Sequence, residues 1–232
     1  MHSPLRVLLL LCLSAVSIQT RAQRSDEQMQ HCIFPYRDTM HVQTMLYKNF
    51  GTLHFTPGER IADVGAKGGG LAGMLSINYK DLDITLEDLD SNCLNAAQLA
   101  FVLRYYAALS GRQPQGIHCN AVIGNDSSTT LPTAAYAKVF LMNTYHEITK
   151  QAAMLQDLHR ILAAGGTLYV TETVSAKKHI RRRDCHHIMP IEREMLEAFT
   201  SAGFRLVSFR LVKASHRHFE RVRYGCFQFQ KV

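Results

Sequence analysis

The chain has 232 residues, 47% of them apolar, with a formal net charge of +7. That content buries one full α/β core, which excludes an intrinsically disordered chain and makes one main domain the default. The positive balance is too modest for the footprint of a nucleic-acid binder, and no nucleic-acid partner is expected.

The N-terminus reads MHSPLRVLLLLCLSAVSIQTRAQ, with a basic Arg6, an apolar run over residues 7–16, and Thr20, Arg21 and Ala22 ahead of Gln23. This is the layout of a secretory signal. Residues 1–22 are assigned to it, and the rest is expected to be exported, to the periplasm or outside the cell. Crossing a bilayer takes about 20 apolar residues, so weak membrane attachment through an uncleaved segment is the lesser alternative. Cleavage leaves 24 basic against 19 acidic side chains and five cysteines, Cys32, Cys93, Cys119, Cys185 and Cys226. Their number is odd and they lack CxxC spacing, so neither a disulfide scaffold nor a zinc finger is indicated. One or two bridges remain open to an exported chain, with a connectivity that spacing does not give.

Residues 23–57 are expected to form a helical cap, and residues 58–232 the main domain. Ile61, Ala62, Asp63 and Val64 make a short strand that runs into a glycine cluster, and residues 71–77 then read as helix. Ile84, Thr85 and Leu86 make a second strand, stopped by Glu87 and Asp88. Asp90 or Ser91 is placed to cap the next helix, whose apolar period is Leu94, Ala97, Phe101, Tyr105 and Ala108. Strands follow at residues 117–123 and 138–142, the second nearly all apolar, as buried parallel strands are. A helix over residues 150–162 carries Met154, Leu155, Leu158 and Ile161 on one face, with Gly165 and Gly166 as its stop before a strand at 167–171. A helix at 191–202 and strands near 204–212 and 224–229 complete the pattern. Alternating strands and helices predict a three-layer α/β sandwich with a mostly parallel, seven-stranded, Rossmann-like sheet, and the last two strands add an antiparallel hairpin.

In such a sheet, ligands sit beyond the carboxyl ends of the strands, where a glycine-rich turn admits a cofactor closely. The segment DVGAKGGG, residues 63–70, lies there. It resembles the first motif of class I S-adenosylmethionine-dependent methyltransferases, roughly (D/E)xGxGxG, with Asp63, Gly65 and Gly69 matching and Lys67 replacing the central glycine. The stretch KVFLMNTYHEITKQAAMLQDLHRILAAGGTLYVTET, residues 138–173, resembles the fourth strand, helix and fifth strand of small-molecule members of that family. The resemblance covers residues 56–175 well and the rest in outline.

The resemblance implies S-adenosylmethionine as cofactor, held by Asp63, Gly65, Ala66, Lys67 and Gly69. It puts Asp88 on the ribose hydroxyls, with Glu87 the close alternative, since a carboxylate accepts two hydrogen bonds from a vicinal diol. Asn125 or Asp126 falls where the family contacts adenine, with Asp126 favoured over Asn125; a plain turn there is equally compatible. Asn143, Tyr145 and His146 follow the fourth strand beside the transferable methyl. Asn143 is shared between cofactor and acceptor, Tyr145 orients the acceptor or lines the pocket, and His146 is the candidate base. A histidine bonded to backbone at a strand end is the competing reading of His146.

The acceptor is a small molecule or another unidentified substrate. Lys177, Lys178, Arg181, Arg182 and Arg183, with Arg217, Arg221 and Arg223, form a C-terminal basic group that reads first as a solvated charged face. Asp184, Cys185, His186 and His187, with His179, carry ligand atoms, but adjacent positions match no zinc spacing, and no metal is expected. Two other functions are compatible with the sequence. Lys67 suits an exported non-catalytic binding domain on the same fold. Gly65 and Gly70 have the outer spacing of GxGxxG, as in a nucleotide-dependent oxidoreductase, against which the 138–173 resemblance argues. Mass spectrometry of the protein from its native host should give a mature N-terminus at Gln23; a chain retaining Met1 would indicate the anchored form.

Overall fold

The computed structural model describes residues 29–182, 184–217 and 220–232. The expected export signal, residues 1–22, and the first residues of the expected cap lie outside the described residues. The strands are β1 (Glu59–Val64), β2 (Leu82–Asp88), β3 (Ile117–Ile123), β4 (Tyr136–Met142), β5 (Leu162–Ser175), β6 (Phe204–Arg217) and β7 (Glu220–Lys231). The helices are α1 (Thr39–Phe50), α2 (Gly70–Asn78), α3 (Ala96–Ser110), α4 (Gln151–Ile161) and α5 (Glu192–Ser201).

One seven-stranded sheet has the order β3-β2-β1-β4-β5-β7-β6. Strands β1 to β5 pair in parallel, and β7 runs antiparallel between β5 and β6. The predicted α/β sandwich with its terminal hairpin is therefore the observed fold. The order of strands along the sheet reverses between β1 and β4, and the crevice outside their carboxyl ends is the usual ligand position of such sheets.

Side chains on successive strand residues point to opposite faces, which splits the core in two. On one face Ile61, Ile84 and Phe140 pack with Val42, Leu46 and Phe50 of α1 and with Leu71, Leu75 and Val102 of α2 and α3. On the other, Ala62, Val64, Val139 and Leu168 meet Leu155, Leu158 and Ile161 of α4 and Phe199 of α5. Helix α1 is thus part of a main layer, capped by Asp38, whose carboxylate accepts from the His41 amide.

Two boundaries differ from the sequence reading. The N-cap of α3 is Asn95, not Asp90 or Ser91, because its side chain reaches the Gln98 amide. The helix then starts later and buries Leu99, Phe101, Val102 and Tyr106, while Ala97 and Ala108 face solvent. Gly165 and Gly166 do not stop α4. Leu162 already pairs with Tyr136, and Gly165 takes a left-handed φ of 71° where the β4–β5 register shifts.

A disulfide joins Cys32, ahead of α1, to Cys93, between β2 and α3. Around it, the Gln98 side-chain Nε2 donates to the Met29 carbonyl and the Tyr105 hydroxyl to the Tyr36 carbonyl. Closing a loop across 61 residues constrains the unfolded chain, so replacing both cysteines with serine should cost about 2–4 kcal/mol. Urea unfolding with and without dithiothreitol tests this: the wild type should be weakened by the reductant, and the double variant should not respond.

Candidate cofactor and acceptor site

The turn after β1 is held against β2 by its backbone. The Gly65 and Ala66 amides both donate to the Glu87 carbonyl, at 2.8 and 2.9 Å, and the Gly69 amide to that of Ala66. Gly65 adopts φ 71° and Gly69 φ 80°, conformations that favour glycine. A methyl group on Gly65 would lie 2.2 Å from Thr144, so the backbone after β1 and the segment after β4 approach each other as only glycine permits. Lys67 takes φ 49°, the left-handed region a glycine would occupy without strain. Its side chain is exposed, with the ammonium over the Phe34 ring, so it turns toward the surface. The Gly68 amide donates to the Cys32 carbonyl at 2.9 Å, which makes the disulfide-tied segment one wall of the turn.

Three carboxylates gather here. Asp63, at the end of β1, is buried, and one of its oxygens has no hydrogen-bond partner. Burial, with the neighbouring Asp88 charge, pushes its pKa up to about 7. Glu87 is also buried, and burial reinforced by Asp88 pushes it up to about 8. Asp88 is half-buried and accepts from the Lys67 amide at 2.6 Å and from Asp90 at 2.9 Å. Four lone-pair sites on a carboxylate leave it room for a diol. Glu87, by contrast, packs against Gly124 on the inner side, so Asp88 has the open position at the strand end.

A second polar group sits at the ends of β4 and β5. His146 lies in a short 3₁₀ turn (Tyr145–Glu147), with its side chain wholly buried. Its Nδ1 is 2.9 Å from a carboxylate oxygen of Glu172, which also accepts from the His146 amide at 3.1 Å. Glu172 is itself fully buried and paired with Arg182 at 3.3 Å. The Arg182 guanidinium donates to the Asn143 side-chain oxygen and pairs with Asp184, whose carboxyl it holds far below the usual range. The His146 Nε2 faces Cys185 Sγ at 3.4 Å and Glu147 at 3.5 Å.

The fold thus brings Asp63, Gly65, Ala66, Lys67, Gly69, Glu87 and Asp88 together at one turn, and Asn143, Tyr145 and His146 together at the next strand end. Tyr145 is buried with its ring 5.2 Å from Phe199, and burial pushes its phenol up to about 12. Its phenol stays un-ionised near neutral pH. Asn125 and Asp126 are occupied locally: the Asn125 side chain accepts from Ser127 and Ser128, and Asp126 pairs with Lys150. Of the basic group, Lys178 pairs with Glu194 and Arg223 with Glu192, Arg182 turns inward, and Arg183 lies outside the described residues. Glu172 and Arg182 were not assigned to the site from sequence. The available signal was a carboxylate in the apolar run of β5, at the strand end where ligands bind.

No protein-family profile and no curated protein matches this chain. Solved structures do. The cyclase SpnF superposes with a TM-score of 0.59 at 17% identity, over 83% of this chain and 80% of that one. A SAM-dependent methyltransferase from Methanosarcina mazei gives 0.57 at 14% identity, over 77% and 94%. The O-methyltransferase NcsB1, solved with S-adenosylhomocysteine and 1,4-dihydroxy-2-naphthoic acid, gives 0.55 at 19% identity, over 84% of this chain and 56% of that one. The chain therefore has the class I methyltransferase fold, which by itself leaves activity open.

The raised carboxyls set a pH dependence. Asp63 and Glu87 keep their protons to higher pH when folded than when unfolded, so the folded state binds more protons and stability falls as pH rises from the carboxylate range through about 7 and 8. Melts should give a lower Tm at about pH 8.5 than at about pH 6, and Asp63→Asn should flatten the difference. A wild-type Tm that rises across that interval would contradict the assignment.

Proposed function

We propose that this protein binds S-adenosylmethionine at the turn over residues 65–69 and transfers its methyl group to a small-molecule acceptor. The observation that carries this reading is the unneutralised acidic lining. Asp63 keeps an unpartnered buried oxygen, and Asp63 and Glu87 are held partly protonated by burial and by Asp88. A site so arranged gains most from a cationic ligand rich in hydrogen-bond donors, and S-adenosylmethionine carries an ammonium, a sulfonium and a ribose diol.

When bound, the cofactor supplies a methyl already activated by the sulfonium, so the protein's part is alignment and exclusion of water. Asp63 receives a donor through its free oxygen. Asp88, at the open strand end, holds the diol. Gly65 and Gly69 keep the turn free of side chains, and Ala66 and Lys67 contribute backbone, with the Lys67 stem directed outward. Asn143 orients groups between cofactor and acceptor, Tyr145 forms the wall, and Glu172 fixes the His146 ring so that Nε2 faces the acceptor side. Asn125 and Asp126 would reach adenine only by leaving their present partners. Methyltransferases of this fold solved with naphthoic-acid or phosphoethanolamine-type ligands support a small acceptor here. The N-terminal signal supports an exported site of action.

A second reading, a binding domain without catalysis, draws support from Lys67, which stands at the position of the motif's central glycine in a left-handed conformation. Isothermal titration with S-adenosylhomocysteine separates these readings from a fold that has lost the ligand. Binding should be measurable, become tighter from about pH 6 to about pH 8, and weaken about tenfold, ~1.4 kcal/mol, in Asp63→Asn. No heat at millimolar ligand would reject the cofactor assignment; binding without methyl transfer to any acceptor offered would select the second reading.

A further inference from the structure

Cys185, His146 and Glu147 are brought together by the fold from two distant segments. Their ligand atoms all lie within 4.8 Å of one another. The neighbours of Cys185 take no part: Asp184 is held by Arg182, and His186 is exposed at a left-handed φ of 61°. Glu172 sits on the far side of the His146 ring and accepts from Nδ1. With that nitrogen carrying its hydrogen, Nε2 presents a lone pair toward a sulfur and a carboxylate oxygen.

Three electron-rich atoms therefore converge with only the thiol hydrogen to separate them. We propose that His146 Nε2, Cys185 Sγ and Glu147 form a three-residue site for a zinc-class divalent cation.

The spacing fits. Tetrahedral zinc with ordinary bond lengths of about 2.1 Å to nitrogen or oxygen and about 2.3 Å to sulfur puts N and S about 3.6 Å apart and N and O about 3.4 Å apart. The observed separations are 3.4 Å for Nε2 to Sγ and 3.5 Å for Nε2 to the Glu147 oxygen. A buried carboxylate on the other ring nitrogen is the usual outer support of a histidine ligand, since it fixes the tautomer and makes the ring a better donor. Mixed nitrogen, sulfur and oxygen ligands select zinc-like ions over magnesium or calcium. Three protein ligands leave a fourth position, and His146 lines a cavity of about 680 Å³ together with His179, Arg181 and His187. An acceptor oxygen or sulfur taking the fourth position would have its pKa lowered by the ion's charge and would release its proton to water. In the loaded protein His146 then holds the ion and not the proton. The site stands whether or not the turn at residues 65–69 binds S-adenosylmethionine.

The test is metal binding by the full mature chain. Stripped protein titrated with cobalt(II) should develop a thiolate-to-cobalt charge-transfer band at one ion per chain, and zinc should displace it stoichiometrically. Cys185→Ser should abolish the band and weaken zinc at least a hundredfold. Glu147→Ala, at an exposed side chain whose loss leaves the core intact, should weaken zinc about tenfold. Glu172→Gln should weaken it by roughly 10–100-fold, and Cys226→Ser should leave it unchanged. Absence of the band in the wild type, its persistence in Cys185→Ser, or equal zinc affinity in Glu147→Ala and wild type would each overturn the assignment.

Discussion

Negative charge packed without compensation at the ends of β1 and β2 is the constraint on which the site depends. Asp63 and Glu87 are buried, Asp88 stands beside them, and the described residues bring no arginine or lysine into salt-bridge contact with any of the three. Burial of a carboxylate is costly unless a partner or a proton neutralises it. Here a proton does so only in part in the free protein, and the fold holds the arrangement because the same backbone that carries the acids is locked into the sheet. A free-state penalty relieved by a ligand is one way in which binding energy is built into a site.

The turn works with those acids. Its amides are divided between the Glu87 and Cys32 carbonyls and the Asp88 carboxylate, so its shape is set from both strands and from the N-terminal segment. Gly65 is tight against Thr144, which couples the first strand end to the fourth. The side chains that follow, Asn143 and His146, thus have a position relative to the turn that packing determines. Lys67 adopts the conformation of the glycine it replaces and directs its bulk outward, so the substitution strains the backbone more than it fills the crevice.

At the other strand end, polarity is compensated. Arg182 bridges Asn143, Glu172 and Asp184, and Glu172 in turn holds His146. A buried histidine between a buried carboxylate and a thiol has only one soft side, the one facing Cys185 and Glu147. The two strand ends therefore differ in kind: one gathers carboxyls without a basic partner, the other a histidine, an arginine and carboxylates that neutralise one another.

Local patterning was enough to specify much of this. Short apolar strands alternating with amphipathic helices determined the sheet class, because period and length leave few other ways to bury those faces, and the acid–glycine run DVGAKGGG determined where the crevice lies. The glycine boundary at Gly165 and the cap of α3 were misread because Leu162 and Asn95 are committed by partners across the sheet and one turn on. The pairing of Cys32 with Cys93, the burial of Glu172, and the meeting of Cys185 with His146 were decided only by the tertiary structure. Each joins residues 26 to 61 positions apart, and no spacing rule along the chain encodes which side chains two separate strand ends will bring within reach.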